Sequence, residues 1–112
     1  MSLLIDNPIP VIQVGNVGTV FVFTMCDQDG NVIDLSSATV LEALFFKPVS
    51  RTTITRTGIL TTDGTDGKFQ YTSIAGDLDE AHNQWRRQAR IVIPAGEFRS
   101  FQRRFTVKGN IA

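Results

Sequence analysis

Thr19-Val20-Phe21-Val22-Phe23-Thr24-Met25-Cys26-Asp27-Gln28-Asp29-Gly30-Asn31-Val32-Ile33 decides the fold class. Phe21, Phe23 and Met25 fall on one side of an extended chain, and Val20, Val22 and Thr24 on the other. All of them tolerate strand geometry, and Val20, Val22 and Thr24 are β-branched. The Asp29-Gly30 pair then supplies the positive φ that a tight turn demands. Val32 and Ile33 start a short return. A strand, a tight turn and a return strand define antiparallel β-structure. Asp34-Leu35-Ser36-Ser37 breaks the return, and Asp34 or Ser36 caps a short helical turn there.

Downstream, the same period recurs. Thr39 to Lys47 carries Val40, Leu44 and Phe46 against Leu41, Ala43 and Phe45. Both sides are apolar, as in a central strand covered twice or a strand with one face in an interface. Thr52 to Leu60 reads as a polar edge strand. Thr61 to Gly67 is a long turn with two Asp-Gly pairs, and Lys68 to Ser73 is a short strand with Phe69 and Tyr71 on one face. Ala75 to Asn83 is the one segment with helical character, too short to stand alone. Gln84 to Ile93 puts Trp85, Ala89, Ile91 and Ile93 on one face and Arg86, Gln88, Arg90 and Val92 on the other. Arg87 falls on the apolar side, where its stem is comfortable and its charge is not. Phe98 to Val107 follows, with Phe101, Phe105 and Val107 inward and Arg103 sharing that parity. Upstream, Pro8 and Pro10 bar a regular central strand. Residues 1–10 therefore read as an extended arm leading to an edge strand at Ile9–Val14. The apolar Leu3, Leu4 and Ile5 serve either as a docking element or as a cover for the open end of the core.

Residues 11–112 then form one domain of about seven strands. The expected architecture is a two-layer antiparallel β-sandwich, immunoglobulin-like but without the immunoglobulin disulfide. A small barrel is the structural rival. The expected core includes Phe21, Phe23, Phe45, Trp85, Ile91, Phe101 and Phe105.

The 112 residues have a formal net charge of +0 and only 20% charged side chains. That is sparse against the roughly 25% usual for a soluble domain, and suits a subunit packed against neighbours. The neutrality hides an asymmetry. Residues 1–80 carry ten acidic and four basic side chains; residues 81–112 carry one acidic side chain and seven basic ones, Arg86, Arg87, Arg90, Arg99, Arg103, Arg104 and Lys108. If these regions fold onto different faces, copies can stack acidic against basic.

Chemistry is hard to assemble. His82 and Cys26 each occur once, which gives neither a disulfide nor a soft-metal site. No nucleophile elbow surrounds Ser73. The Asp27, Asp29, Asn31 alternation lacks the rest of a calcium loop. Asp77, Asp79 and Glu80 crowd one loop instead of facing across a cleft. Val14-Gly15-Asn16-Val17-Gly18 lacks the ending of a P-loop. The expectation is no enzyme, no metal and no cofactor. No apolar run reaches the ~18 residues of a membrane span, and the first ten residues lack the charge and apolar pattern of a secretory signal. A carbohydrate-binding module would need exposed aromatics, and Trp85 and Tyr71 have core parity. Nucleic-acid binding would use Arg86, Arg90 and Arg104, but the neighbouring aromatics lie on the opposite face.

The ordered turn motifs resemble the N-terminal domain of phage baseplate upper proteins and their short single-domain relatives. The resemblance lies in Phe21-Val22-Phe23-Thr24, Asp27-Gln28-Asp29-Gly30, Val32-Ile33-Asp34-Leu35-Ser36-Ser37-Ala38-Thr39, Lys47-Pro48, Thr62 to Tyr71, and Gly76-Asp77-Leu78-Asp79-Glu80-Ala81 leading to Trp85. It spans roughly residues 14–107. It implies a β-sandwich in the virion, contacting other virion proteins at a tail, baseplate or neck, as a symmetric homo-oligomer. Larger relatives continue into further domains. Ending at Ala112 favours an adaptor, a connector or, alternatively, a capsid decoration protein. After Lys47-Pro48 the relatives often turn on Asp-Gly; here the turn is Val49-Ser50-Arg51, which makes Val49 a candidate contact. The expected interface is Leu3, Leu4, Ile5, Val49, Arg86, Arg90 and Arg104.

Overall fold

The computed structural model describes residues 2–6 and 12–109, with the side chains of 2–6 left aside. Ten strands run through these residues. They are β1 (Ser2–Asp6), β2 (Ile12–Gln13), β3 (Val20–Asp27), β4 (Val40–Lys47), β5 (Thr52–Thr57), β6 (Ile59–Leu60), β7 (Lys68–Thr72), β8 (His82–Ile93), β9 (Gly96–Arg99) and β10 (Arg103–Lys108). The larger sheet has the order β2-β10-β8-β4-β5, with β9 also paired to β8. It curls into a half-barrel. The smaller sheet is β3-β7-β6, which β1 extends alongside β3.

The all-β expectation matches this architecture; the immunoglobulin-like two-layer sandwich of about seven strands does not. Three departures explain the difference. The strand expected over Thr52–Leu60 is two strands in two sheets. Gly58 lets the chain pass from β5 in the large sheet to β6 in the small one: a Cβ there would lie 2.6 Å from the Phe69 ring and 3.0 Å from the Gln70 carbonyl oxygen. The strand expected over Phe98–Val107 is also two, β9 and β10, each pairing with a different part of the long β8. Finally, β2 joins β10 in parallel, Ile12 opposite Val107, where a fully antiparallel layer was expected.

The core lies between the inner face of the curled sheet and the small sheet. Phe21 of β3 meets Phe45 of β4 at 4.9 Å between ring centroids and Phe105 of β10 at 5.5 Å. Phe45 touches Tyr71, and Trp85 touches Phe105. Phe21, Phe23, Phe45, Trp85, Ile91 and Phe105 are all buried, as are Met25, Leu35, Phe69, Leu78 and Val107. Each of the β3 aromatics follows from the period-two pattern, because one face of that strand looks into the core.

Phe101 is the exception. Expected in the core, it is 53% exposed. Side chains alternate only along an unbroken strand, and the chain leaves the ladder between β9 and β10. The buried Ser100 takes the place of a strand residue there. Its N–H donates to the Ala89 carbonyl at 3.0 Å, and its Oγ accepts from the Ala89 N–H at 2.9 Å. Arg103, whose parity alone left its side open, is likewise exposed.

No helix forms over 75–83. The side chains that would have faced solvent on a helix are taken up by distant partners. Asp77 accepts from Arg56 Nε at 3.0 Å, Arg56 Nη2 at 2.8 Å, the Ile74 N–H at 3.0 Å and the Tyr71 hydroxyl. Asp79 pairs with Lys47 at 2.8 Å, and Lys47 also donates to the Gly76 carbonyl. Glu80 accepts from the N–H groups of Val49 and Ser50, while its carbonyl accepts from the Trp85 indole at 3.0 Å. Arg56 and Lys47 belong to the large sheet and Tyr71 to the small one, so this loop fastens the two together.

The small sheet's far end is closed by turns. The Ile33 N–H donates to the Met25 carbonyl, the Met25 N–H to the Gly67 carbonyl and the Leu35 N–H to the Gly64 carbonyl. Gly67 has φ +73, and a Cβ on it would lie 2.8 Å from the Met25 carbonyl oxygen. Both the left-handed backbone and the close approach require glycine.

Candidate functional site

The functional question falls on the outer face of the curled sheet. There the register of β5, β4, β8 and β10 sets Thr53 opposite Phe46, Phe46 opposite Arg86 and Arg86 opposite Arg104. The next row outward has Leu44 opposite Gln88. Because side chains alternate across a strand, these residues share the face turned away from the core. Leu44 and Phe46 are half-buried and form an apolar floor. The floor is a depression of about 150 Å³ whose lining includes Thr53, Arg86, Gln88 and Gln102. Arg86 lies over the Phe46 ring, its guanidinium carbon 5.7 Å from the ring centroid, a cation–π contact. Gln88 is held by the Ser100 carbonyl at 2.8 Å. Phe101, the residue before Gln102 in sequence, is exposed.

The electrostatics of this face are unbalanced. Arg86 and Arg104 stand directly opposite each other on neighbouring strands, a placement that destabilises a sheet when the charges are alike. Among the described residues, neither has a carboxylate within ion-pair distance. Arg87, one position on, is buried and stacks over Phe105 at 5.8 Å, so its charge is sheltered by the ring.

The expected interface residues separate into groups. Arg86 and Arg104 come together on this face. Arg90 does not join them as a free contact, because it is already engaged. Its Nη1 reaches Glu42 at 2.6 Å and its Nε reaches Glu97 at 2.6 Å. Those bonds and the two carboxylates raise its pKa and lower that of Glu97. Val49 is 63% exposed but sits on the β4–β5 turn, its N–H held by Glu80. Leu3, Leu4 and Ile5 occupy β1, opposite Cys26, Met25 and Thr24; their side chains lie outside the described residues, as do residues 7–10, which end the expected arm, and residue 11. The Ile9–Val14 edge strand is described only from Ile12.

The acidic residues gather elsewhere. Asp27, Asp29, Asp34, Asp63 and Asp66 sit on the turns that close the far end of the small sheet, with Lys68 as the neighbouring cation. Their carboxylates mostly brace turns: Asp27 accepts from the Asp29 and Asn31 N–H groups, Asp34 from Ser36, Asp63 from Thr65 and Asp66 from Lys68. Hydrogen bonds from Ser36 lower the Asp34 pKa, and those from Thr65 lower that of Asp63. Both are charged at neutral pH. No described cation ion-pairs with any of the five.

Among the described residues, no three His, Cys, Asp or Glu side chains gather as metal ligands would. Cys26 is a buried free thiol whose pKa is raised by burial and by Asp27. No helix among the described residues is long and apolar enough to cross a membrane. No family model, curated protein or solved structure matches the chain. The face itself therefore has to carry the functional reading.

Sequence parity placed Arg86 and Arg104 on the outer face. It missed the floor of Leu44 and Phe46 as part of the same site. The signal was present: the run Val40 to Lys47 is apolar on both sides, as a strand with a second, unspent apolar face would be.

Proposed function

We propose that this chain is a non-enzymatic assembly module of a phage particle, held against other virion proteins by the outer face of its curled sheet. The observation that carries the docking role is the opposed pair Arg86 and Arg104 beside the Phe46 floor. Such a pair lowers the stability of the isolated chain, and a partner bringing carboxylates relieves it. An apolar floor with an arginine rim is also the composition that concentrates binding energy in protein interfaces. The phage setting, at a tail, baseplate or neck, rests on the resemblance of the ordered turn motifs, and a capsid decoration role belongs to the same class. A sugar-binding role finds less support, because Trp85 and Tyr71 are buried.

Arg104→Glu tests the docking face. It replaces the like-charge pair with an opposed one, so the free chain gains stability, its melting temperature rising by about 1–3 °C. The same change reverses the charge of the face and blocks docking. In a phage that produces both versions, incorporation of the variant into purified particles falls at least about tenfold below wild type. Equal incorporation of the two forms would remove the face from the account. A residue with only a structural role would lose stability and incorporation together.

A further inference from the structure

The face described above needs a partner with carboxylates, and the chain itself presents one. We infer that the outer face of the curled sheet receives the acidic end of a second copy of this chain, so that copies join head to tail. The inference rests on the docking role proposed for that face.

Three observations support it. The face offers two guanidinium groups, Arg86 and Arg104, without ion-pair partners among the described residues. The far end of the small sheet offers five carboxylates in the same condition, and hydrogen bonds between its turns hold them as one surface. The charged groups in between are spent internally: Arg90 on Glu42 and Glu97, Arg56 on Asp77 and Lys47 on Asp79. The Arg86 and Arg104 pair and the five turn carboxylates, with Lys68 the one described cation beside them, therefore form a cationic and an anionic surface on different parts of the molecule.

The two surfaces differ, so the contact is heterologous. A face on one copy takes an end of the next, which leaves a face and an end still open. Repetition gives a ring where the rotation closes and a filament where it does not. Because the attraction is between exposed charges, it weakens as salt shortens the screening length.

The test uses the full chain in three forms: wild type, a face variant Arg104→Glu, and an end variant carrying Asp29→Lys, Asp34→Asn and Asp63→Asn. Asparagine keeps the turn-bracing acceptor at positions 34 and 63. Asp29→Lys alone is the fallback if the triple variant fails to fold, because no hydrogen bond of the Asp29 side chain is seen. Sedimentation velocity at low and high salt reads the outcome. Wild type is expected to form species larger than a dimer at low salt and to dissociate at high salt. Each variant alone is expected to stay monomeric or to associate at least about tenfold more weakly. An equimolar mixture is expected to form a one-to-one dimer and stop there, because it contains one intact face and one intact end.

A monomeric wild type, a mixture that remains monomeric, or an end variant that associates like wild type would each overturn the head-to-tail contact. So would a single-stranded oligonucleotide that binds wild type and the end variant equally but not the face variant, since the face would then be reading phosphate. The docking role is separable from these outcomes: it stands or falls on whether Arg104→Glu is left out of particles.

Discussion

Asp77→Ala is expected to lower the melting temperature by about 10–15 °C, through a loss of about 3 kcal/mol. The side chain is 2% exposed and its carboxylate serves four donors from three places in the chain: Arg56 Nε and Nη2 on β5, the Tyr71 hydroxyl on β7 and the Ile74 N–H. Removing it strands a buried hydroxyl and a backbone N–H. Arg56 is about a third exposed and rehydrates in part, which keeps the loss below that of a fully buried ion pair. The pH dependence identifies the cause. Burial pushes the Asp77 carboxyl up, but the Ile74 N–H, the Tyr71 hydroxyl and the Arg56 guanidinium together hold it below its ordinary value. Tyr71 is pushed up to about 12 by burial and by the Asp77 bond and charge, so it remains a donor throughout. A carboxyl with a depressed folded-state pKa stabilises the fold above its unfolded value, near 3.9. That stabilisation is lost as the pH falls through the folded value. Calorimetry of wild type and Asp77→Asn at pH 7 and pH 3 should therefore show the gap between them narrowing in acid. A gap that stays constant would mean the charge of Asp77 is not what fastens the loop.

Trp85→Ala is expected to cost about 3–5 kcal/mol, enough to leave little folded protein in a domain of ordinary stability. Trp85 is fully buried, its ring is 5.6 Å from that of Phe105, and its indole N–H donates to the Glu80 carbonyl. Alanine opens a cavity and frees the end of the loop whose Glu80 carboxylate holds the β4–β5 turn. Trp85→Phe keeps most of the ring and loses the N–H bond, and so should cost only about 1–2 kcal/mol. Urea titration followed by far-UV circular dichroism gives both values. Equal losses in the two variants would place the energy in the hydrogen bond instead of the packing.

What the sequence made legible was local. The alternation of Phe21, Phe23 and Met25, and of Trp85, Ala89 and Ile91, is a property of single strands, and it placed the core correctly. The Asp-Gly turns were equally plain. The sheet arrangement depends on what lies across space. Nothing beside Gly58 announces that the Phe69 ring will press on it, and so one expected strand became two in different sheets. The acidic residues of 77–80 look like one crowded loop in the sequence because Arg56 and Lys47, which pair with Asp77 and Asp79, are remote in it. Arg90 was assigned to the interface by parity, while Glu42 and Glu97 become visible only once the register of β4, β8 and β9 is known. The same register turned Arg86 and Arg104 from two residues of like parity into a directly opposed pair. Phe101 failed because parity counting does not survive a break in the ladder.

The most direct test of the proposed virion role is the copy number of this chain in particles purified from cells that express it, by quantitative mass spectrometry against the major capsid protein. The account predicts a fixed stoichiometry: roughly three to twelve copies for a closed ring at a tail or neck, or dozens and more for a repeating array. Absence from the particles, with the chain expressed during infection, would contradict it.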